Sequence, residues 1–259
     1  MKRIFTSLAL LLCIVVHAQE TEAEKPEKGI KFGVKGGLSL PSLSDNSDNI
    51  YAKDFKSYAS YETGIFVDYG LNEKLSLQLE LNYTVKGGER NGLQPVPADQ
   101  MPPGLAPPGT VFYADFDNRT ALEYLEVPIL AKMTFGSNWR FFGNVGPYFG
   151  FLIGAEQETS GSSRLYADED GDMPIPLPPE YGGNNPLPFD AKTDIKDNIK
   201  NFNFGAIAGV GVSKSISKHS EFLFEVRGTY GFIKIQENSD FGESRIGSVL
   251  FSLGYAYKL

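Results

Sequence analysis

The sequence predicts an all-β fold, an eight-stranded antiparallel up-and-down transmembrane β-barrel with long extracellular loops. Long segments alternate apolar and polar side chains with a period of two, which is the period of a strand and not of a helix. The connections between these segments are alternately short and long. After residue 18 the sequence has no apolar run long enough for a membrane helix, so this pattern crosses a bilayer only as a closed barrel.

The clearest predicted strand covers residues 75–86. Its odd positions include Leu77 and Leu79, whereas its even positions include Gln78 and Glu80. A strand in a soluble domain usually has about 5–6 residues, and a strand tilted across a bilayer needs about 9–11, so this length favours a membrane strand. The same alternation predicts eight strands, at 30–40, 61–69, 75–86, 122–135, 139–155, 202–213, 221–232 and 249–259.

The predicted connections alternate in length as they do in outer-membrane barrels. Short turns are predicted at 70–74, 136–138 and 214–220, and long loops at 41–60, 87–121, 156–201 and 233–245. Both termini of the barrel domain then lie at the short-turn end. Aromatic residues concentrate near the strand ends, which predicts two interfacial girdles. They are Tyr69, Phe135, Trp139, Phe141, Phe222, Tyr255 and Tyr257 at the short-turn end, and Tyr83, Phe149, Phe151, Phe202, Phe204 and Tyr230 at the other.

The N-terminus predicts export. Lys2 and Arg3 precede an apolar run and a Val16-His17-Ala18 cleavage site, which together indicate a signal peptide at 1–18. We expect a short periplasmic segment at 19–29 and the barrel domain at 30–259. Cleavage removes the only cysteine and two positive charges, so the net charge moves from −8 to −10. An acidic exported chain is a poor ligand for nucleic acid, and its mature form has no thiol chemistry.

Charged residues recur at the positions predicted to face the lumen. An eight-stranded barrel is just wide enough for side chains to fill it, whereas diffusion pores need about 16–18 strands. We therefore interpret these charges as a buried salt-bridge network in preference to the alternative, a proton or ion path. The predicted network is Lys35, Glu62, Glu80, Lys86, Glu126, Lys132, Glu225 and Arg227, and Lys31 and Asp68 are also predicted to face the lumen.

Neither catalysis nor a cofactor is expected. His219 is the only histidine left after cleavage, and it lies in a predicted short turn, where no nucleophile and base are expected to meet. Residues 168–172 resemble the start of a calcium loop, but the positions that should carry Gly and Glu are Met173 and Pro179. A loose metal site at Asp168, Asp170 and Asp172 stays open beside the simpler interpretation, a solvated acidic turn.

The long loops are the predicted working part. Twelve of the sixteen prolines lie in 95–108 and 174–188, and such segments either dock into aromatic grooves or stay flexible at the surface; we prefer flexible loops. The predicted function is a binding or scaffolding surface for an extracellular or secretion-system protein partner. The alternative is a soluble exported barrel that holds an apolar ligand as lipocalins do, which would require the opposite arrangement of polar and apolar faces.

Four segments carry a resemblance to a known family. Residues 124–132, YLEVPILAK, are similar to a strand of PorT-family outer-membrane β-barrel proteins, and residues 143–150, GNVGPYFG, to the strand that follows it. Residues 33–39 and 204–211 resemble the opening strand and the glycine-rich sixth strand of that family. The resemblance covers the strands between residues 30 and 259. It implies the barrel fold but no particular activity, although the family's namesake acts in a protein-secretion system.

The final strand predicts how the barrel is assembled. Ser252, Gly254, Tyr257 and Leu259 resemble the signal that the barrel-assembly machinery reads, with Leu259 standing where an aromatic residue is commoner. We therefore expect two further partners, this machinery during biogenesis and outer-membrane lipid afterwards. The predicted location is the cell outer membrane of a Gram-negative bacterium.

Overall fold

Eight long antiparallel strands form the wall of the molecule in the computed structural model. They are β1 (Ile30–Asp45), β2 (Ser60–Gly70), β3 (Leu75–Pro97), β4 (Val111–Phe135), β5 (Trp139–Ser160), β6 (Phe202–Ser215), β7 (Ser220–Gly231) and β8 (Ser244–Lys258). Each strand pairs with its neighbours along the chain, and β8 pairs with β1 through a register that sets Ser252 opposite Gly37. The eight strands therefore close into a ring, and the predicted fold class is confirmed.

The structure describes residues 29–45, 49–98, 101, 107, 109–181, 183–238 and 242–259. The predicted signal peptide at 1–18 and residues 19–28 of the predicted periplasmic segment lie outside the described residues. Three short strands, Ser162–Ser163, Leu187–Pro188 and Ala191–Asp194, lie in the connection between β5 and β6. Within the described part of the chain, no helix is long and apolar enough to span a membrane.

The wall of the barrel is apolar outside and polar inside. In β8, Leu253 is 68% exposed whereas its neighbour Ser252 is 1% exposed. The same contrast separates Leu79 from Glu80 in β3. An exterior that exposes large aliphatic side chains along every strand needs lipid to cover it. This arrangement is the reverse of a soluble lipocalin-like barrel and argues against that alternative.

Exposed aromatic residues form a band at each end of the apolar wall. Tyr69, Trp139, Phe141, Phe222 and Tyr257 are exposed at the short-turn end. The band at the long-loop end contains Tyr61, Phe151, Phe202, Tyr230 and Phe232. Rings with an apolar body and a polarisable edge are suited to the two membrane interfaces, so the bands mark the region of the wall that lipid covers.

The β3–β4 hairpin is longer than the alternation predicted. The sequence predicted a loop from residue 87, but the two strands stay paired from Lys86 and Leu122 to Pro97 and Val111. Above the apolar wall neither face meets lipid, so the period of two disappears from the sequence while the backbone pairing continues. Since β2 no longer pairs with β3 there, β3 has a free edge that tolerates Pro95 and Pro97, which cannot donate to a ladder.

Gly37 lies at the seam where the last strand meets the first. A Cβ atom at this position would overlap the backbone oxygen of Phe251, whereas a Cβ at the adjacent Gly36 would have its nearest neighbour at 3.6 Å. We expect Gly37→Ala to destabilise the barrel by about 1–3 kcal/mol through overpacking and to reduce the heat-modifiable fraction on gels. Gly36→Ala is the matched control, and equal loss in both variants would contradict a steric role for Gly37.

Candidate functional site

Glu80 is the centre of the charged interior. Its carboxylate accepts two hydrogen bonds from the guanidinium of Arg227, at 2.8 and 2.6 Å, and a third from Lys35 Nζ at 2.5 Å. Lys35 Nζ also lies 3.2 Å from Glu62. These four side chains are at most 3% exposed. Because β1, β2, β3 and β7 each contribute one of them, the cluster ties opposite sides of the wall together.

Neutral side chains add further hydrogen bonds to the central cluster. Asn82 donates to Glu80 at 2.9 Å, and Gln78 donates to the other carboxylate oxygen. Glu225 accepts a hydrogen bond from Asn144 and lies 2.9 Å from Arg227 Nε. A buried charge is tolerated when it is paired and hydrogen-bonded, so these amides help to offset the cost of burying the carboxylates of Glu80 and Glu225.

Two further ion pairs lie along the β2–β5 side of the lumen. Lys132 Nζ contacts Asp68 and Gln78, each at 3.0 Å. Lys86 Nζ donates to Glu126 at 2.6 Å and lies 4.6 Å from the ring centre of Tyr148. With these pairs, the structure places all eight residues of the predicted network inside the barrel.

Gln78, Asn82 and Asn144 belong to the same network but were not among its predicted members, whereas Asp68 was predicted to face the lumen. Their side chains face the lumen, because they lie at the alternate positions of their strands that point inward. This alternation is the sequence signal by which they could have been found. The sequence gives the face of each side chain, whereas the pairing partners depend on strand register across the barrel.

Two apolar layers enclose the charged interior. Near the short turns, Phe66, Phe142, Leu223 and Ala256 pack together, and the absence of a side chain at Gly33 leaves room for the ring of Phe66. The layer at the long-loop end contains Leu122, Tyr124, Leu152, Ala155, Ile199, Ile235 and Ile246. Within the described residues these layers lie on either side of the Glu80 cluster, whereas Glu221 pairs with Lys31 and Arg140 at the short-turn end and is partly exposed.

Two loops contribute residues to the apolar layer at the long-loop end. Ile199 and Ile235 lie in the connections that follow β5 and β7, and both are buried. The backbone N–H of Lys200 donates to Ile235 O at 2.7 Å, and that of Ile235 donates to Ser244 O at 2.9 Å. These bonds hold both loops across the mouth of the barrel.

The long-loop end also carries a packed unit that we call the loop platform. It consists of residues 87–97 and 111–121 of the β3–β4 hairpin and the described residues of 161–190. Its core contains Val96, Phe112, Ala114, Leu165 and Leu177. Packing of the second Pro-rich loop against this hairpin corrects the expectation that the loop is flexible. Residues 99–100, 102–106 and 108 of the first Pro-rich loop lie outside the described part.

Ring stacking and a cavity characterise the loop platform further. The rings of Phe116 and Phe189 stack at 4.7 Å between centroids, and the backbone of Tyr166 pairs with that of Tyr113. A cavity of about 340 Å³ opens beside Arg164, Ile175 and Asn185. The platform surface therefore has a cavity that is lined by both apolar and polar side chains.

The acidic turn at 168–172 is stabilised by its own backbone. Asp168 accepts hydrogen bonds from the N–H groups of Asp172, at 3.1 Å, and Met173, at 2.8 Å. Although desolvation alone would raise the pKa of Asp168, these amides lower it below its ordinary value. Among the described residues no group of three or more His, Cys, Asp or Glu is placed to hold a metal ion, and the loose calcium site with Asp170 stays a prediction.

The predicted assembly residues lie on both faces of β8. Ser252 and Gly254 are buried and face the lumen, whereas Tyr257 and Leu259 are exposed. His219 lies in the turn before β7, and its ring stacks on Tyr257 with 5.8 Å between centroids. The aromatic residue of the predicted signal thus lies in the short-turn band, while its recognition by the assembly machinery stays a prediction.

A closed ring of eight strands with an apolar exterior and a side-chain-filled interior defines a small integral membrane β-barrel. Residues 17–237 match the sequence profile of the family described as outer membrane protein beta-barrel domain. The chain belongs to this family, which places it in the outer membrane of a Gram-negative bacterium. The finer assignment to PorT-like proteins goes beyond this match.

Solved structures of similar shape are distant in sequence. Neisserial surface protein A is 12% identical, with a TM-score of 0.40, and the match covers 91% of this chain and 100% of that one. The N-terminal β-barrel domain of Pseudomonas aeruginosa OprF is 10% identical, with a TM-score of 0.42 and coverage of 91% and 100%. OprG from the same organism is 11% identical, with a TM-score of 0.42 and coverage of 90% and 97%. No curated protein matches the chain.

Proposed function

We propose that this protein is a non-enzymatic, non-conducting outer-membrane barrel whose loop platform binds or scaffolds a protein partner outside the cell. One observation carries the proposal: Leu165 and Leu177 of the β5–β6 loop are buried against Phe112 of the β3–β4 hairpin. A loop that packs its own apolar core keeps a defined surface, and a preorganised surface loses less conformational entropy when it binds.

The filled interior supports a non-conducting barrel. Glu80, Lys35 and Arg227 join opposite walls, and apolar layers lie on both sides of this cluster. In planar bilayers we expect the folded protein to give no unitary current above the bare membrane, with a porin measured in parallel as the positive control. Stable conductance steps that scale with the amount of folded protein would contradict this expectation.

The position of His219 supports a non-enzymatic role. It lies in the turn between β6 and β7, at the opposite end of the barrel from the loop platform and its cavity. The platform therefore has no histidine among its described residues to act as a general base. A role in protein secretion is a narrower form of the proposal, and it is supported by the PorT-like sequence motifs alone.

Site-specific photocross-linking in whole cells tests the proposed platform. A cross-linker at Pro178, which is exposed in the platform, should capture a discrete protein partner. The same cross-linker at His219, which is exposed at the other end, is the matched control. A discrete adduct from Pro178 and not from His219 supports the proposal. Identical adduct patterns from the two sites, or none from Pro178 in cells that display the folded barrel, would contradict it.

A further inference from the structure

One sector of the long-loop end carries cations directly beside the lipid-facing aromatic band. Lys196 Nζ donates to the backbone oxygen of Ile153 at 3.1 Å. Arg245 Nε donates to the backbone oxygen of Phe232 at 3.3 Å. Ile153 and Phe232 are 46% and 51% exposed on the outer wall. Both cationic side chains therefore lie along the outside of the barrel instead of pointing into its mouth.

Lys200 is placed with these two cations because its side chain points away from that of its buried neighbour. Its neighbour Ile199 is buried in the apolar layer that closes the mouth, and Lys200 is only partly buried. Because its backbone N–H pairs with Ile235 O, Lys200 lies in an extended segment beside the start of β8. We call Lys196, Lys200 and Arg245 the cationic rim.

The aromatic band next to the cationic rim is continuous across β5, β6 and β7. The ring of Phe204 lies 5.4 Å from that of Phe149 and 5.8 Å from that of Phe232. Tyr230 and Phe232 are 5.9 Å apart. Rings of this kind mark the interface between hydrocarbon and headgroups. The adjoining cations are therefore at the depth of lipid headgroups.

Two neighbouring lysines at this end are neutralised by carboxylate partners. Lys192 forms an ion pair with Glu156 at 2.9 Å, and Lys234 forms one with Glu243. The Asp194 carboxylate accepts the backbone N–H of Lys196 at 2.8 Å. Within the described residues no carboxylate forms an ion pair with a member of the cationic rim, although Asp197 and Glu237 are exposed nearby along the chain.

We propose that the cationic rim binds phosphate groups of the outer-leaflet lipid. Lys and Arg beside an anionic leaflet contribute about 1 kcal/mol each, and the guanidinium of Arg can contact two phosphate oxygens at once. The whole chain has a net charge of −8, so such binding must come from this local arrangement. The inference rests on the proposed orientation, in which the long loops lie outside the cell, but not on the protein partner.

The test compares two variants with equal loss of charge. Lys196→Gln/Lys200→Gln/Arg245→Gln removes the cationic rim, and Lys53→Gln/Lys56→Gln/Lys218→Gln removes three exposed lysines elsewhere. Folded protein in neutral detergent is titrated with lipid A, and retained lipid is counted by native mass spectrometry. We expect the rim variant to bind lipid A on the order of 100-fold more weakly, from about 1 kcal/mol per cation, and the control variant to bind as the wild type does.

Two further probes identify the chemical group that is recognised. Dephosphorylated lipid A should bind to the wild type as weakly as lipid A binds to the rim variant, and inorganic phosphate should not compete at equal concentration. Equal binding of lipid A by the rim variant and the wild type would overturn the proposal, as would full binding of the dephosphorylated lipid or competition by free phosphate. If the triple variant does not fold, Lys200→Gln alone should weaken lipid A binding about fivefold, as expected for about 1 kcal/mol.

Discussion

Glu80→Gln should prevent recovery of most of the folded barrel. The carboxylate is buried and holds both Arg227 and Lys35, so neutralising it leaves cations in the interior that have lost their main partner. Breaking a buried ion pair from one side costs about 3–5 kcal/mol, which is a large fraction of the stability of a domain. The measurement is the urea midpoint of unfolding in lipid vesicles, together with the heat-modifiable fraction on gels.

Glu156→Gln is the matched control for this experiment. Glu156 also pairs with a lysine, Lys192, but the two side chains are 49% and 64% exposed. An exposed ion pair contributes about 0–1 kcal/mol, so the control should unfold close to the wild type. If Glu80→Gln and Glu156→Gln shifted the midpoint equally, the buried cluster would not be what stabilises the wall.

Leu165→Ala should unfold the loop platform while the barrel stays intact. Leu165 is 1% exposed in the platform core, and truncation of a buried leucine to alanine costs about 2–5 kcal/mol. Since the platform core and the lumen are separate clusters, this cost should fall on the platform alone. We expect rapid proteolysis within 161–190, with heat-modifiable migration unchanged.

Met173→Ala tests whether any apolar truncation in this loop has the same effect. Met173 is 57% exposed in the same connection, so its loss should leave the protease resistance of the platform unchanged. Equal sensitivity of the two variants would show that the loop is not held by its core. Loss of the folded barrel in Leu165→Ala would show that platform and barrel fold as one unit.

The strands were predictable because lipid and lumen impose opposite requirements on alternate residues. Leu79 and Glu80 illustrate this, since a shift of one residue in β3 would place a carboxylate in lipid. The same requirement placed the predicted network inside the barrel without any knowledge of strand register. Which cation meets which carboxylate depends on pairs far apart in sequence, such as Glu80 and Arg227, and so could not be predicted.

The loops were less predictable because their residues do not alternate between two different environments, as the residues of the strands alternate between lipid and lumen. Ile199 and Ile235 are two of the apolar residues in mainly polar connections, and nothing local shows that they meet over the mouth of the barrel. The extension of β3 beyond residue 86 was missed for a related reason, because Gly87, Gly92 and Pro95 are turn-forming residues in isolation. Pairing with β4 over the whole length overrides those local preferences.

The length of the β3–β4 hairpin separates the proposed protein-binding surface from the proposed lipid-binding cations beside the membrane. A strand rises about 3.3 Å per residue, so residues 87–97 span at most about 35 Å along their own axis. At physiological ionic strength, dissolved salt screens the interaction between exposed charges that are more than about 8 Å apart. A protein held at the tip of the hairpin would therefore not feel the charges beside the membrane, which leaves the tip free to change its specificity without altering how the barrel sits among its lipids.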